Sequence, residues 1–185
     1  ETASTFAEVI VADAAVAQAH DKVEKLALIE DKLERAVTLL MNIQCRFLFE
    51  TRFYAERQAG PVSKERLCEL MVEAQKEAFA NSLDEYHPHF WAAKLHFFNT
   101  GVPFYNFPYT FGYLFATGVY SQAAKEGPSF AAKYVALLRD TGSMKVEDLA
   151  KRHLNVDLSQ TEFWQAAIDS ALSELDEYLL LTATD

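Results

Sequence analysis

Apolar residues recur along this chain at steps of three and four, and almost nowhere at steps of two. Leu26, Ile29, Leu33, Val37, Leu40, Ile43 and Phe47 form one such series, which places them on a single helical face. The spacing predicts one long helix over residues 22 to about 58, roughly 55 Å at 1.5 Å per residue. Its second half, with Leu39, Leu40, Met41, Ile43, Phe47, Leu48, Phe49, Phe53 and Tyr54, is apolar most of the way round and should be buried on several sides. Ahead of it, Phe6, Val9, Ile10, Val16 and Ala17 keep a helical period through residues 2–19. Asp21 follows the break at His20 and is suited to cap the next helix.

Beyond the long helix the punctuation is equally clear. Gly60-Pro61 stops it, and Ser63 caps a helix over 64 to about 80, with Leu67, Leu70, Met71, Ala74 and Ala78 facing inward. Residues 81–90 read as loop and 90–98 as a short helix. Gly101, Pro103 and Pro108 make 99–108 irregular. A helix is expected over 109–125, ended by Gly127-Pro128. Ser129 is expected to cap a helix to 139, closed by Thr141-Gly142, and a short helix to span 145–153. Ser159 with Glu162 three residues on reads as a capping box that opens the last helix, to about 181. No alternating run is long enough for a strand, and no fixed repeat or interdomain linker occurs. The expected fold is all-α: one multi-helix domain over residues 1–185 with one long helix.

Composition narrows the function classes. Half of the 185 residues are hydrophobic, with only 6 Gly and 5 Pro, so the chain is ordered and long enough to bury a core. The net charge of −10 argues against a nucleic-acid surface, which needs a basic face, and against a polybasic membrane patch. Two cysteines, Cys45 and Cys68, make a poor disulfide framework, so a reduced, cytoplasmic setting is expected. No apolar stretch approaches the roughly 20 residues that span a bilayer, and no signal-peptide pattern occurs.

Several chemical signatures are absent: a glycine-rich phosphate loop, a zinc-ribbon cysteine pair, a Gly-x-Ser-x-Gly elbow and a His-Glu-x-x-His helix. Three features remain. In Glu1-Thr-Ala-Ser-Thr-Phe-Ala-Glu8 the two carboxylates lie seven residues apart, nearly two helical turns, and share a face. They suit a metal ligand and its supporting carboxylate, or simply a solvated acidic face. His87-Pro-His89, with His96 seven residues on, offers three imidazoles, either metal ligands on a helical bundle or ordinary loop histidines. Most unusual is the aromatic run from His96 to Phe115. Tyr109 and Tyr113 are one helical turn apart, with Gly112 between them leaving room for close approach. A tyrosine keeps its proton at neutral pH and can donate a hydrogen bond to an oxyanion. The same run also serves as aromatic core with hydroxyls bonded to backbone.

Together these segments resemble the C-terminal catalytic portion of the oligoendopeptidase F / thimet-oligopeptidase family of zinc metallopeptidases. Glu1 to Glu8 is similar to the family's Glu-x-Ala-Ser-Thr-Phe-x-Glu run. His96 to Tyr113 is similar to its His-Phe-Tyr…Phe-Tyr-x-Tyr-x-Tyr segment. Val146-Glu-Asp-Leu, Asp157-Leu and Thr161-Glu-Phe-Trp164 match its ending in character. The resemblance implies half of a larger helical metallopeptidase domain that hydrolyses internal bonds of oligopeptides. It implies Glu1 as the third zinc ligand and Glu8 as the carboxylate that orients a ligand histidine. His96, Tyr105, Tyr109 and Tyr113 would contact substrate and steady the tetrahedral intermediate, and Phe97, Phe98, Phe104 and Phe107 would line apolar subsites. The other zinc ligands, on a His-Glu-x-x-His helix, are expected ahead of Glu1 in a longer polypeptide. Alone, the chain is expected to hold zinc weakly, to be inactive, and to self-associate or bind the N-terminal portion of the same enzyme. The alternative is a helical interaction module without chemistry.

Overall fold

Every regular element in the computed structural model, which describes residues 2–183, is helical. Helix α1 spans Thr2–Gln18 and α2 spans Lys22–Val37. A π-helical turn, Thr38–Asn42, leads without a break into α3, Ile43–Arg57, so the expected long helix is present over its full extent. Then come α4 (Lys64–Ala78), two 3-10 turns (Phe90–Ala93 and Leu95–Phe98), α5 (Phe107–Glu126), α6 (Phe130–Asp140), α7 (Val146–Leu154), α8 (Thr161–Ala171) and α9 (Leu175–Thr182). The chain packs as two compact units: Arg35–Phe111, and the residues up to Glu34 together with those from Gly112 onward.

Local chemistry sets several helix ends. The Asp21 carboxylate accepts the Glu24 N–H (2.9 Å) and Ser63 Oγ accepts the Arg66 N–H (3.2 Å), so both starts are capped as the sequence predicts. Gly127 closes α5 at φ +68°, a conformation glycine adopts without steric cost. Two caps differ. Ser129 lies inside a 3-10 turn with helical dihedrals, whereas a capping residue needs extended backbone; its hydroxyl donates instead to the Glu126 carbonyl (2.9 Å). Ser159 donates both its N–H (2.9 Å) and its hydroxyl (2.7 Å) to the Asp157 carboxylate. Gln160 therefore takes the capping position of α8, without a side-chain bond. The last helix is also divided, with α8 and α9 separated at residues 172–174. Residues 90–98 form two 3-10 turns interrupted at Lys94, whose backbone is extended.

In the unit Arg35–Phe111, α3 and α4 pack together around Cys45, Phe49, Leu70, Met71 and Ala74, covered by Trp91 and Phe97 from the 3-10 turns. Cys45 Sγ sits 3.8 Å from Met71 Sδ. Burial pushes its thiol up to about 11, which makes it an inert core residue. Both cysteines are free. On the neighbouring α3–α4 surface, Arg66 bonds Glu56, Glu69 and Glu73, an exposed cluster that contributes little to stability.

In the other unit, Phe115, Val119, Phe130, Leu137, Leu149 and Phe163 are buried. Phe6 stacks on Tyr134 with ring centroids 4.2 Å apart. The Tyr120 hydroxyl donates to Asp13 (2.5 Å); burial and that bond raise its pKa to about 12. Gly118 faces the Phe163 ring so closely that a Cβ there would lie 2.4 Å from its Cζ. Gly118→Ala therefore destabilises the protein by about 1–2 kcal/mol, since overpacking outweighs the gain in helix propensity. Urea unfolding measures this, and Phe163→Leu in the same chain should relieve it. Stability equal to or above wild type in Gly118→Ala alone would contradict the close packing.

Candidate functional site

Three polar contacts tie the long helix to residues 104–110. The Leu39 carbonyl, in the π turn, accepts the Thr110 hydroxyl (2.6 Å). Two turns on, Arg46 donates through Nη1 to Asn106 Oδ1 (3.1 Å) and through Nε to Asn42 Oδ1 (2.9 Å). One further turn along, Glu50 Oε1 accepts the Phe104 N–H (2.7 Å). A π turn inside an α-helix is a common accompaniment of functional sites, and here it carries the first of the three contacts.

Arg46 and Glu50 are four residues apart on α3, so they project from one face. They grip the residues on either side of Tyr105. Both partners are well shielded: Glu50 is 5 % exposed and Asn106 is 3 % exposed. Burial raises the Glu50 carboxyl above the ordinary range, opposed by the Phe104 N–H and by the nearby His96. Burial lowers the Arg46 guanidinium, which also lies 5.5 Å from the centre of the Phe90 ring. Phe104 stands at φ +56°, a left-handed conformation that costs a bulky residue about 1–3 kcal/mol. Its ring packs against Phe47 and Tyr54 at 5.7 and 5.5 Å.

The outcome is an aromatic series. His96 stacks on Tyr105 with centroids 5.0 Å apart and planes 23° from parallel. Tyr105 in turn meets Tyr109 at 6.1 Å, in the first turn of α5. Tyr105 and Tyr109 are 40 % and 36 % exposed, so their ring edges reach solvent. His96 Nδ1, by contrast, is buried without a hydrogen-bond partner, and an orphaned buried polar atom is rare enough to call for an explanation. Three of the four expected catalytic side chains thus stand in one group within Arg35–Phe111.

Tyr113 and Glu8 belong to the unit made of the residues up to Glu34 and those from Gly112 onward. Tyr113 is buried there in α5, where its carbonyl accepts the Thr117 hydroxyl (2.8 Å). Glu8 is exposed on α1, beside the buried Thr5 and Phe6. Glu1 lies outside the described residues. Of the expected subsite residues, Phe97 packs on Phe49 at 5.0 Å and Phe104 is half-buried, whereas Phe98 and Phe107 are exposed. Phe97 and Phe98 also line a cavity of about 200 Å³ with Phe49, Glu50, Phe53, Tyr54, Leu67 and Trp91. His87 Nδ1 accepts the His89 N–H (3.1 Å). Among the described residues no three His, Cys, Asp or Glu side chains gather to hold a metal ion, so these residues by themselves do not fit a zinc site. No helix among them is long and apolar enough to cross a membrane.

Arg46, Glu50 and Asn106 were not legible as site residues in the sequence. A charged pair four residues apart inside a largely apolar helical segment was the available signal. An all-helical protein with a histidine–tyrosine series held by polar contacts from one helix is the class this geometry defines. The chain matches the family model described as peptidase family M3 over residues 1–170, and it belongs to that family. It is 25 % identical over 186 residues to oligopeptidase PepF of Bacillus subtilis (strain 168), a match that covers 97 % of this chain and 27 % of that protein. The chain thus spans about a quarter of the length of this curated relative. No solved structure matches it significantly.

Proposed function

We propose that this chain is the C-terminal segment of a cytoplasmic, zinc-dependent metalloendopeptidase that hydrolyses internal bonds of oligopeptides. Membership of peptidase family M3 supports the reaction class, and similarity to a protein named oligopeptidase supports short peptides as substrates. The observation that carries the reading is the His96–Tyr105–Tyr109 series, with its unpartnered His96 Nδ1. The role assigned to this wall is to donate hydrogen bonds to the oxygen that becomes negative when a peptide carbonyl turns tetrahedral. Donors already in place when charge develops avoid reorganisation, and each is worth about 10²–10³ in kcat. Tyr113 is assigned a further place along the same helix.

Zinc enters through family membership. Glu1 is assigned as one ligand and Glu8 as the carboxylate that orients another, with the remaining ligands supplied from outside the described residues. Phe97, Phe104 and Phe107 are assigned to apolar side chains of the peptide. The rest of the same enzyme is the proposed partner, a role supported by exposed apolar residues such as Val11 on α1 and Leu179 and Leu180 on α9.

The test is an oligopeptide assay on the full-length protein. An internally quenched peptide is cleaved away from its ends, chelation abolishes cleavage, and added zinc restores it. Absence of cleavage from a zinc-loaded, folded protein would leave the helical interaction module as the better description.

A further inference from the structure

The buried Glu50 and the half-buried Arg46 lie off the aromatic wall, yet each bonds a residue adjacent to Tyr105 in sequence. We propose that Glu50 and Arg46 are positioning residues: they clamp Phe104 and Asn106, force the left-handed turn at Phe104, and thereby seat Tyr105 against His96. The proposal rests on the functional reading above for its effect on turnover, while the clamp itself rests on geometry alone.

A bulky residue at positive φ reverts to a commoner conformation unless its surroundings hold it. The held group here is the Phe104 N–H, and its acceptor is a carboxylate that is 5 % exposed. A buried ionisable side chain is costly to keep, and aliphatic residues would fill the same space in a helix core. The carboxylate bonds the N–H of the left-handed residue itself. On the other side of Tyr105, Arg46 bonds the Asn106 amide oxygen, and the Asn106 carbonyl in turn accepts the Tyr109 N–H (3.1 Å). The clamp therefore reaches two members of the aromatic series: Tyr105 through its neighbours and Tyr109 through the first turn of α5. Released, residues 104–106 would let the Tyr105 ring leave His96, and a misplacement of about 1 Å can cost on the order of 10²-fold in rate.

Kinetics and amide exchange on the full-length protein test this. Glu50→Ala is expected to lower kcat by about 10- to 100-fold, with KM changed by less than about threefold. Glu50→Gln keeps an acceptor oxygen and stays within about threefold of wild type. In a Phe104→Gly background, where the turn needs no clamp, the loss caused by Glu50→Ala shrinks to less than about threefold. Exchange of the Phe104 amide accelerates in Glu50→Ala but not in Glu50→Gln, while core amides of α3 and α4 stay protected. Equal damage from Gln and Ala, or an undiminished loss in the Phe104→Gly background, overturns the clamp. Unchanged Phe104 exchange in Glu50→Ala does so as well, whatever the kinetics. Where Glu50→Ala opens Phe104 exchange but Tyr109→Phe and His96→Ala turn over normally, the geometry stands and the functional reading fails.

Discussion

Tyr109→Phe in the full-length protein lowers kcat by about 10²–10³, the usual loss on removing one preorganised oxyanion donor. Zinc content stays at the wild-type level, because the substitution deletes one hydroxyl on α5 and replaces no assigned metal ligand. The ring remains, so the Tyr105–Tyr109 contact at 6.1 Å and the packing of the first turn of α5 are retained. A structural role would appear as lowered melting temperature with near-normal kcat, whereas a donor role appears as lost kcat with unchanged stability. KM separates the two stages of the reaction. A donor used only in the transition state leaves KM near its wild-type value, and one that also grips the ground-state carbonyl raises it. Normal turnover in Tyr109→Phe would remove this hydroxyl from the mechanism.

Lys32→Met destabilises the protein by about 2–3 kcal/mol, measured by urea unfolding. Lys32 bonds Asp13 (2.7 Å) and Glu174, and Asp13 also accepts the Tyr120 hydroxyl. The lysine and Glu174 side chains are only 14 % and 18 % exposed. Removing the cation leaves two carboxylates sharing a shielded site, and breaking a fully buried pair costs about 3–5 kcal/mol. Partial solvent access brings the figure down. Replacing Glu174 by Leu in the Lys32→Met protein should recover part of the loss, because it removes an uncompensated charge. Full additivity of the two substitutions would show that the side chains are not coupled.

Lys32 illustrates what a sequence reading can reach. Its place on a helix follows from the period of Leu26, Ile29 and Leu33. Its partners, 19 and 142 residues away, do not follow from any local pattern. The same holds for helix caps. Asp21 and Ser63 cap as predicted. Ser159 fails because Asp157, two residues earlier, takes its hydroxyl. Burial along the long helix was likewise only partly legible. Ile29 and Ile43 are buried as the stripe implies, and Phe49 as the apolar second half implies, whereas the stripe residues Val37 and Phe47 remain 43 % and 37 % exposed.

The candidate site divides along the same line. His96, Tyr105 and Tyr109 could be singled out because so dense a run of aromatics around one histidine is unusual for a core. That they stand together could not be derived, since residues 99–106 follow no period. Their conformation depends on Glu50 and Arg46, which lie 54 and 60 residues from their partners.

By itself, then, the order of residues determined an all-helical chain, the extent of its long helix and several of its helix ends, because 3.6-residue periodicity and capping act within a few residues. Tertiary structure alone decided how Phe104 turns and where Tyr105 points. A left-handed phenylalanine is uphill in isolation, and here a buried carboxylate on a helix distant in sequence accepts its N–H.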